Sequence, residues 1–93
     1  MTTKQTPTQV ELIRKEVDTQ NITFKYRLYR SNSKHGGRYI YSIEIIAYTS
    51  EDSDSVFIAD VSRTRSRAQE IFELLHTNIV SPCTAVDILE DIL

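Results

Sequence analysis

A chain of 93 residues is one domain's worth of polypeptide, able to bury very roughly two thirds of the surface its unfolded form exposes, so a thin core forms without metals or disulfides. With 40% hydrophobic and 26% charged residues it belongs to the folding rather than the disordered class. A net charge of −2 weighs against a dedicated nucleic-acid binder, and the single cysteine excludes an internal disulfide framework and fits a reducing cytoplasm.

Residues 1–9 are polar, include Pro7 and offer nothing to bury; they are expected as a disordered tail before a single domain over 10–93. The N-terminus lacks an apolar signal-peptide core, and no stretch approaches the ~18 apolar residues of a membrane span. Val10–Val17 mixes parities, Val10 and Leu12 against Ile13 and Val17, and is expected as a strand. Asp18–Asn21 is turn chemistry. In Ile22–Arg30 the residues Ile22, Phe24, Tyr26 and Leu28 alternate with polar or amphipathic neighbours, the period of a half-buried strand. Ser31–Gly37, holding both glycines, reads as a hairpin loop. The run Arg38–Tyr48 is apolar or aromatic on both parities, as a central strand covered on both faces would be, with Tyr39, Tyr41, Ile43, Ile45 and Ala47 toward the core. Face matching requires opposed residue numbers across this hairpin to sum to an odd value. A sum of 69, pairing Lys25 with Glu44 and Tyr29 with Ile40, is favoured; 67 and 71 keep the same faces.

Thr49–Ser55 is an acidic, serine-rich turn and Ser55–Val61 a short fourth strand. The period then changes: Ala68, Ile71, Phe72, Leu75 and Ile79 fall on one helical face. The cap is Thr64 or Ser66, and the capping-box spacing from Ser66 to Gln69 favours Ser66. Pro82 forbids simple continuation, and Thr84 with Asp87 suggests a second capping box opening a short C-terminal helix. A helix of about nine residues is unstable alone, so Ala85, Ile88, Leu89 and Ile92 must dock. The expected class is α+β: a four-stranded antiparallel meander, β-β-β-β-α-α, with a long helix on one face and a short C-terminal helix.

Catalytic signals are sparse. Glu73 and His76 have the spacing of bundle di-metal sites, but those need several such helices, and two solvated surface residues are the expectation. Cys83, beside Pro82 at the start of the last helix, reads as a packing residue, a reactive thiol being the lesser alternative, and His35 has no partner motif. No glycine-rich phosphate loop, nucleophile elbow or zinc spacing occurs, so no catalytic residue, cofactor or metal is expected.

The surfaces say more. No acidic residue lies between Thr19 and Ile43, where Lys25, Arg27, Arg30, Lys34, His35 and Arg38 fall. Lys25, Arg27 and Tyr29 share a parity, as on a sheet that stacks single-stranded nucleic acid; a solvated face balanced by Glu44 and the acidic turn is the plainer reading. Arg63, Arg65 and Arg67 crowd a helix N-terminus, which an anion or, more simply, Asp60 or the acidic loop would neutralise. On the sheet face away from the long helix, Tyr29, Ile40, Ile46 and Tyr48 are more apolar than a monomer leaves wet. Either the C-terminal helix wraps over them or another chain does. The leading expectation is therefore a non-enzymatic, cytoplasmic interaction module that docks a protein partner or a second copy through that face or through Leu89 and Ile92. Anion or nucleic-acid binding by Lys25, Arg27, Arg30, Arg63, Arg65 and Arg67 is the alternative.

Tyr41-Ser-Ile-Glu-Ile45, the strand end Asp60-Val-Ser62, the helix through Ala68–Leu75, and Val80-Ser-Pro-x-Thr84 followed by Asp87-Ile-Leu-Glu-Asp91 together resemble an uncharacterised family. It comprises short proteins of clostridia-like, spore-forming Gram-positive bacteria, known as a domain of unknown function. The likeness covers roughly residues 10–93 and implies a bacterial cytoplasmic protein of similar size. It brings no activity, ligand or site residue, and the basic run 25–38 is not part of its pattern.

Overall fold

Strict alternation in the second strand and a doubly apolar third strand form the centre of the sheet. The computed structural model describes residues 9–32 and 39–92. Its elements run β1 Gln9–Asp18, β2 Thr23–Asn32, β3 Tyr39–Tyr48, β4 Ser53–Ser62, α1 Arg65–Thr77 and α2 Pro82–Ile92. The strands pair antiparallel in chain order, the α+β meander that the short connections predict. Gln9, placed by the sequence in the tail, already belongs to β1. The rest of that tail, and Lys34, His35, Gly36, Gly37 and Arg38, lie outside the described residues.

The hairpin register differs from the favoured one. β2 and β3 pair with a sum of 71, so Arg27 rather than Lys25 faces Glu44, Tyr29 faces Ser42, Ser31 faces Ile40, and Lys25 faces Ile46. Both registers keep Phe24, Tyr26 and Leu28 on one face. The observed one also lets Glu44 accept from both Arg27 and Tyr29.

The mixed parity of β1 has a cause. Register shifts between Glu11 and Ile13, leaving Leu12 as an extra, bulged residue. Leu12 and Ile13 then both pack against the core, as does Val17. A wider irregularity sits where β4 ends: between Ile58 and Ser62 the chain spends three residues opposite Ser42. Asp60 there takes φ 56°, its N–H donates to Ser42 Oγ at 3.3 Å, and Val61 turns inward to 3% exposure. The connection before β4 is tighter than expected. Thr49 Oγ1 accepts from the N–H groups of Glu51 and Asp52, both at 3.1 Å, and the strand begins at Ser53 rather than Ser55.

Both helices cover the same face. Ala68, Ile71, Phe72 and Leu75 of α1 and Ala85 and Leu89 of α2 join Phe24, Tyr26, Leu28, Tyr41, Ile43 and Ile45 in one buried cluster. The C-terminal helix therefore lies beside α1 and does not wrap the opposite face. Tyr39, expected in the core, is 44% exposed, beyond the helical cover.

Three helix ends depart from the sequence reading. α1 is capped at Thr64, with no side-chain cap bond, and Ser66 lies inside the helix. The helix stops at Thr77 before Ile79 can join its apolar face. Ile79 N–H donates to His76 O and Val80 N–H to Leu75 O, the paired bonds of a Schellman ending, and Ile79 sits 42% exposed with φ 50° while Val80 is buried. α2 starts at Pro82 rather than near Thr84. Ser81 is its cap, its Oγ lying 3.4 Å from Thr84 N and 2.9 Å from Thr84 Oγ1, and proline takes the first helical position, where it loses no hydrogen bond.

Candidate functional site

With the helices on one side, the other side of the sheet carries the residues of opposite parity. Across its middle lie Arg14, Arg27, Glu44 and Phe57, and nearer the Thr49 turn lie Glu16, Lys25, Ile46 and Ser55. Arg27 is the hub. Its Nη1 stands 3.4 Å from both Glu44 Oε1 and Tyr29 Oη, and Tyr29 Oη donates to Glu44 Oε1 at 2.9 Å. Glu11 receives Arg14 through two bonds of 3.0 and 3.3 Å and stands 3.7 Å from Arg27 Nε. That separation allows charge attraction but no hydrogen bond, so the buried Nε is without a partner among the described residues. The hydrogen bond with Tyr29 holds the Arg27 guanidinium above its ordinary range, with Glu44 and Glu11 adding to it. Burial pushes the Tyr29 hydroxyl up, the Glu44 bond adds to this and Arg27 opposes it.

Apolar groups flank this hub. Lys25 Nζ lies 5.4 Å from the centre of the Tyr48 ring, and the rings of Tyr29 and Phe57 are 6.0 Å apart. Tyr29, Ile40, Ile46 and Tyr48 are each half-buried, and Phe57 is 47% exposed. Parity in β2 and β3 indicates the first four. Phe57 was missed because Val56, Phe57 and Ile58 are consecutive apolar residues with no parity of their own. The pairing of Phe57 with Glu44 settles its face.

The remaining candidates are dispersed. Leu89, expected at an interface, is 2% exposed in the domain's own core, while Ile92 is 40% exposed in the helical layer. Arg30 has the opposite parity to Lys25 and Arg27, and its guanidinium lies 4.4 Å from the Tyr39 ring centre. Arg63 makes a two-pronged pair with Asp60 at 3.0 and 3.1 Å, the local neutralisation anticipated for it, and this bond raises its pKa. Arg67 pairs with Glu70 at 3.2 Å, and Arg65 is exposed in the first turn of α1. His76 is not a solvated surface residue: its ring packs 5.2 Å from Phe72 and 6.3 Å from Tyr26, with Nε2 3.4 Å from an exposed Glu73 carboxylate. Cys83 is exposed, and Pro82 beside it does the packing. Among the described residues no group of three His, Cys, Asp or Glu could hold a metal ion. No helix of the described residues is long and apolar enough to cross a membrane.

A family model described as "Family of unknown function (DUF6514)" matches residues 8–93. The chain belongs to that family. No curated protein and no solved structure matches it. The match takes in all four strands and both helices, so the outer face and the bulges of β1 and β4 lie within the family's span.

Proposed function

We propose that this domain is a non-enzymatic interaction module that binds a protein partner through the outer face of its sheet. The observation that carries this reading is the one-sided layering. Both helices pack on the same face, and among the described residues nothing covers Tyr29, Ile46, Tyr48 and Phe57 on the other. Four strands of ten residues present about 34 × 19 Å, or ~600 Å². That approaches the ~800 Å² each partner contributes to a standard interface and suits a transient complex. A central charged hub ringed by aromatic and aliphatic groups also has the mixed character of such surfaces. The proposed setting, the cytoplasm of clostridia-like bacteria, rests on the sequence resemblance and the single cysteine.

The anion reading has less support. Arg27, Arg63 and Arg67 already hold carboxylates, and Arg30 faces away from Lys25. The test uses the full chain immobilised against native cytoplasm. A protein retained by the wild type and by Arg63→Ala but lost with Ile46→Glu and Tyr48→Ala is the expected result. Equal retention by the Ile46→Glu variant would sink the reading. Binding to single-stranded oligonucleotides that tightens as salt is diluted would put the anion reading first.

A further inference from the structure

The sheet has two edges, and they are built differently. β1 carries a bulge at Leu12 and the charges Glu11, Arg14, Lys15 and Glu16, devices that discourage addition of another strand. The outer edge, β4, has none of them along Ser55-Val-Phe-Ile58. This run contains no charge, glycine or proline, and from Ser53 to Ile58 its pairing with β3 is unbroken. Its irregularity begins only beyond Ile58.

Charge is sorted to the two ends of this run. Glu51, Asp52 and Asp54 precede it; Arg63, Arg65 and Arg67 follow it, with Asp60 held by Arg63. Alongside runs an apolar groove of about 310 Å³ between β4 and α2, lined by Ile58, Val86, Leu89 and Glu90. A second, more mixed groove, lined by Asp54, Ser55, Val56, Pro82, Cys83 and Val86, continues it. Val86 borders both and is 38% exposed, so it stands level with the middle of the run.

We infer that a second copy of this chain pairs antiparallel with β4 about a two-fold axis through Phe57, joining two four-stranded sheets into one of eight strands. In that register Val56 of each copy opposes Ile58 of the other, and Asp54 falls opposite Asp60, whose carboxylate Arg63 already holds. Parallel in-register pairing would set Asp54 against its own copy, with no arginine among the described residues holding either, which favours the antiparallel arrangement. The axis also brings the two Val86 side chains toward each other beside the apolar groove at Ile58 and Leu89, a self-complementary contact of the kind a two-fold dimer requires. This edge meets the outer face only at Phe57, and the pairing, carried by the β4 backbone and Val86, stands independently of the function proposed for that face. Its consequence is to place two outer faces side by side on one continuous surface.

Light scattering of the full chain should show a concentration-dependent dimer; a monomer at millimolar concentration overturns the inference. Register is read by mild diamide oxidation in a Cys83→Ser background. Phe57→Cys sits on the axis, where opposed Cα atoms lie about 4.5–5.5 Å apart, and should cross-link. Ser55→Cys, whose two copies would be ~13 Å apart, should not. Cross-linking by both variants, or by neither, defeats the proposed pairing. Val86→Lys should weaken the dimer at least tenfold with an unchanged circular dichroism spectrum, while Ile46→Glu on the outer face leaves it intact. The reverse pattern would assign association to the outer face and overturn the edge pairing.

Discussion

Ile79 is a β-branched residue with φ 50°, a conformation costing roughly 1–2 kcal/mol outside glycine and asparagine. The cost is retained because the Schellman ending turns Val80 into the core and offers its carbonyl to the Tyr26 hydroxyl at 2.9 Å. The exposed Ile79 side chain returns little of it. Ile79→Gly should therefore raise stability by about 1 kcal/mol, the relief of strain being partly offset by a freer unfolded chain. In a domain of this size that is a Tm increase of about 4–8 °C, read by thermal circular dichroism. Tyr26 itself is fully buried, and burial pushes its hydroxyl up to about 12. The folded protein keeps this proton to higher pH than the unfolded chain does. Its contribution is whole below about pH 10 and falls away as pH rises from 10 to 12, by about 2–3 kcal/mol. Tyr26→Phe should cost about 1 kcal/mol at neutral pH and make the alkaline loss shallower, as measured by urea denaturation across pH 7–12.

At the scale of elements, capping decides where the helices begin. Ser81 Oγ serves the first turn of α2, so Ser81→Ala should lose about 1 kcal/mol. Ser66 is exposed within the first turn of α1, where alanine is the better helix former, and Ser66→Ala should be neutral or stabilising by a few tenths of a kcal/mol. Equal losses in the two variants would restore the capping box that the spacing to Gln69 suggests. The strands show the same dependence on surroundings. Leu12 interrupts alternation in β1, and the interruption is a bulge that sends two neighbours to one side. In β4 the run past Ile58 is rearranged so that Val61, not Asp60, enters the core.

At the scale of the molecule, stability rests on a single interface between sheet and helices. Phe72 lies fully buried between them, and Phe72→Ala should cost about 3–5 kcal/mol. Against the ~5–15 kcal/mol typical of whole domains, that leaves a marginal fold, visible as a large drop in the urea midpoint. The outer face, by contrast, should tolerate Ile46→Glu with less than about 1 kcal/mol of change, because that side chain is only half-buried. Its effect is expected on partners rather than on folding.

Periodicity belongs to one segment at a time, and what depends on it and on the short connections was legible in the chain: four strands, two helices, the antiparallel order, and the four outer-face residues of β2 and β3. Register belongs to two segments together. Sums of 69 and 71 satisfy the same parity, and only the assembled sheet, with Arg27, Tyr29 and Glu44 brought to one point, selects between them. The same holds for Phe57, Leu89 and Ile79, each apolar in the sequence. One was turned to solvent on the open face, one was consumed in the core, and one was left outside because the helix ended two residues earlier. Which apolar residues a fold buries follows from where its layers meet, and that is a property of tertiary packing.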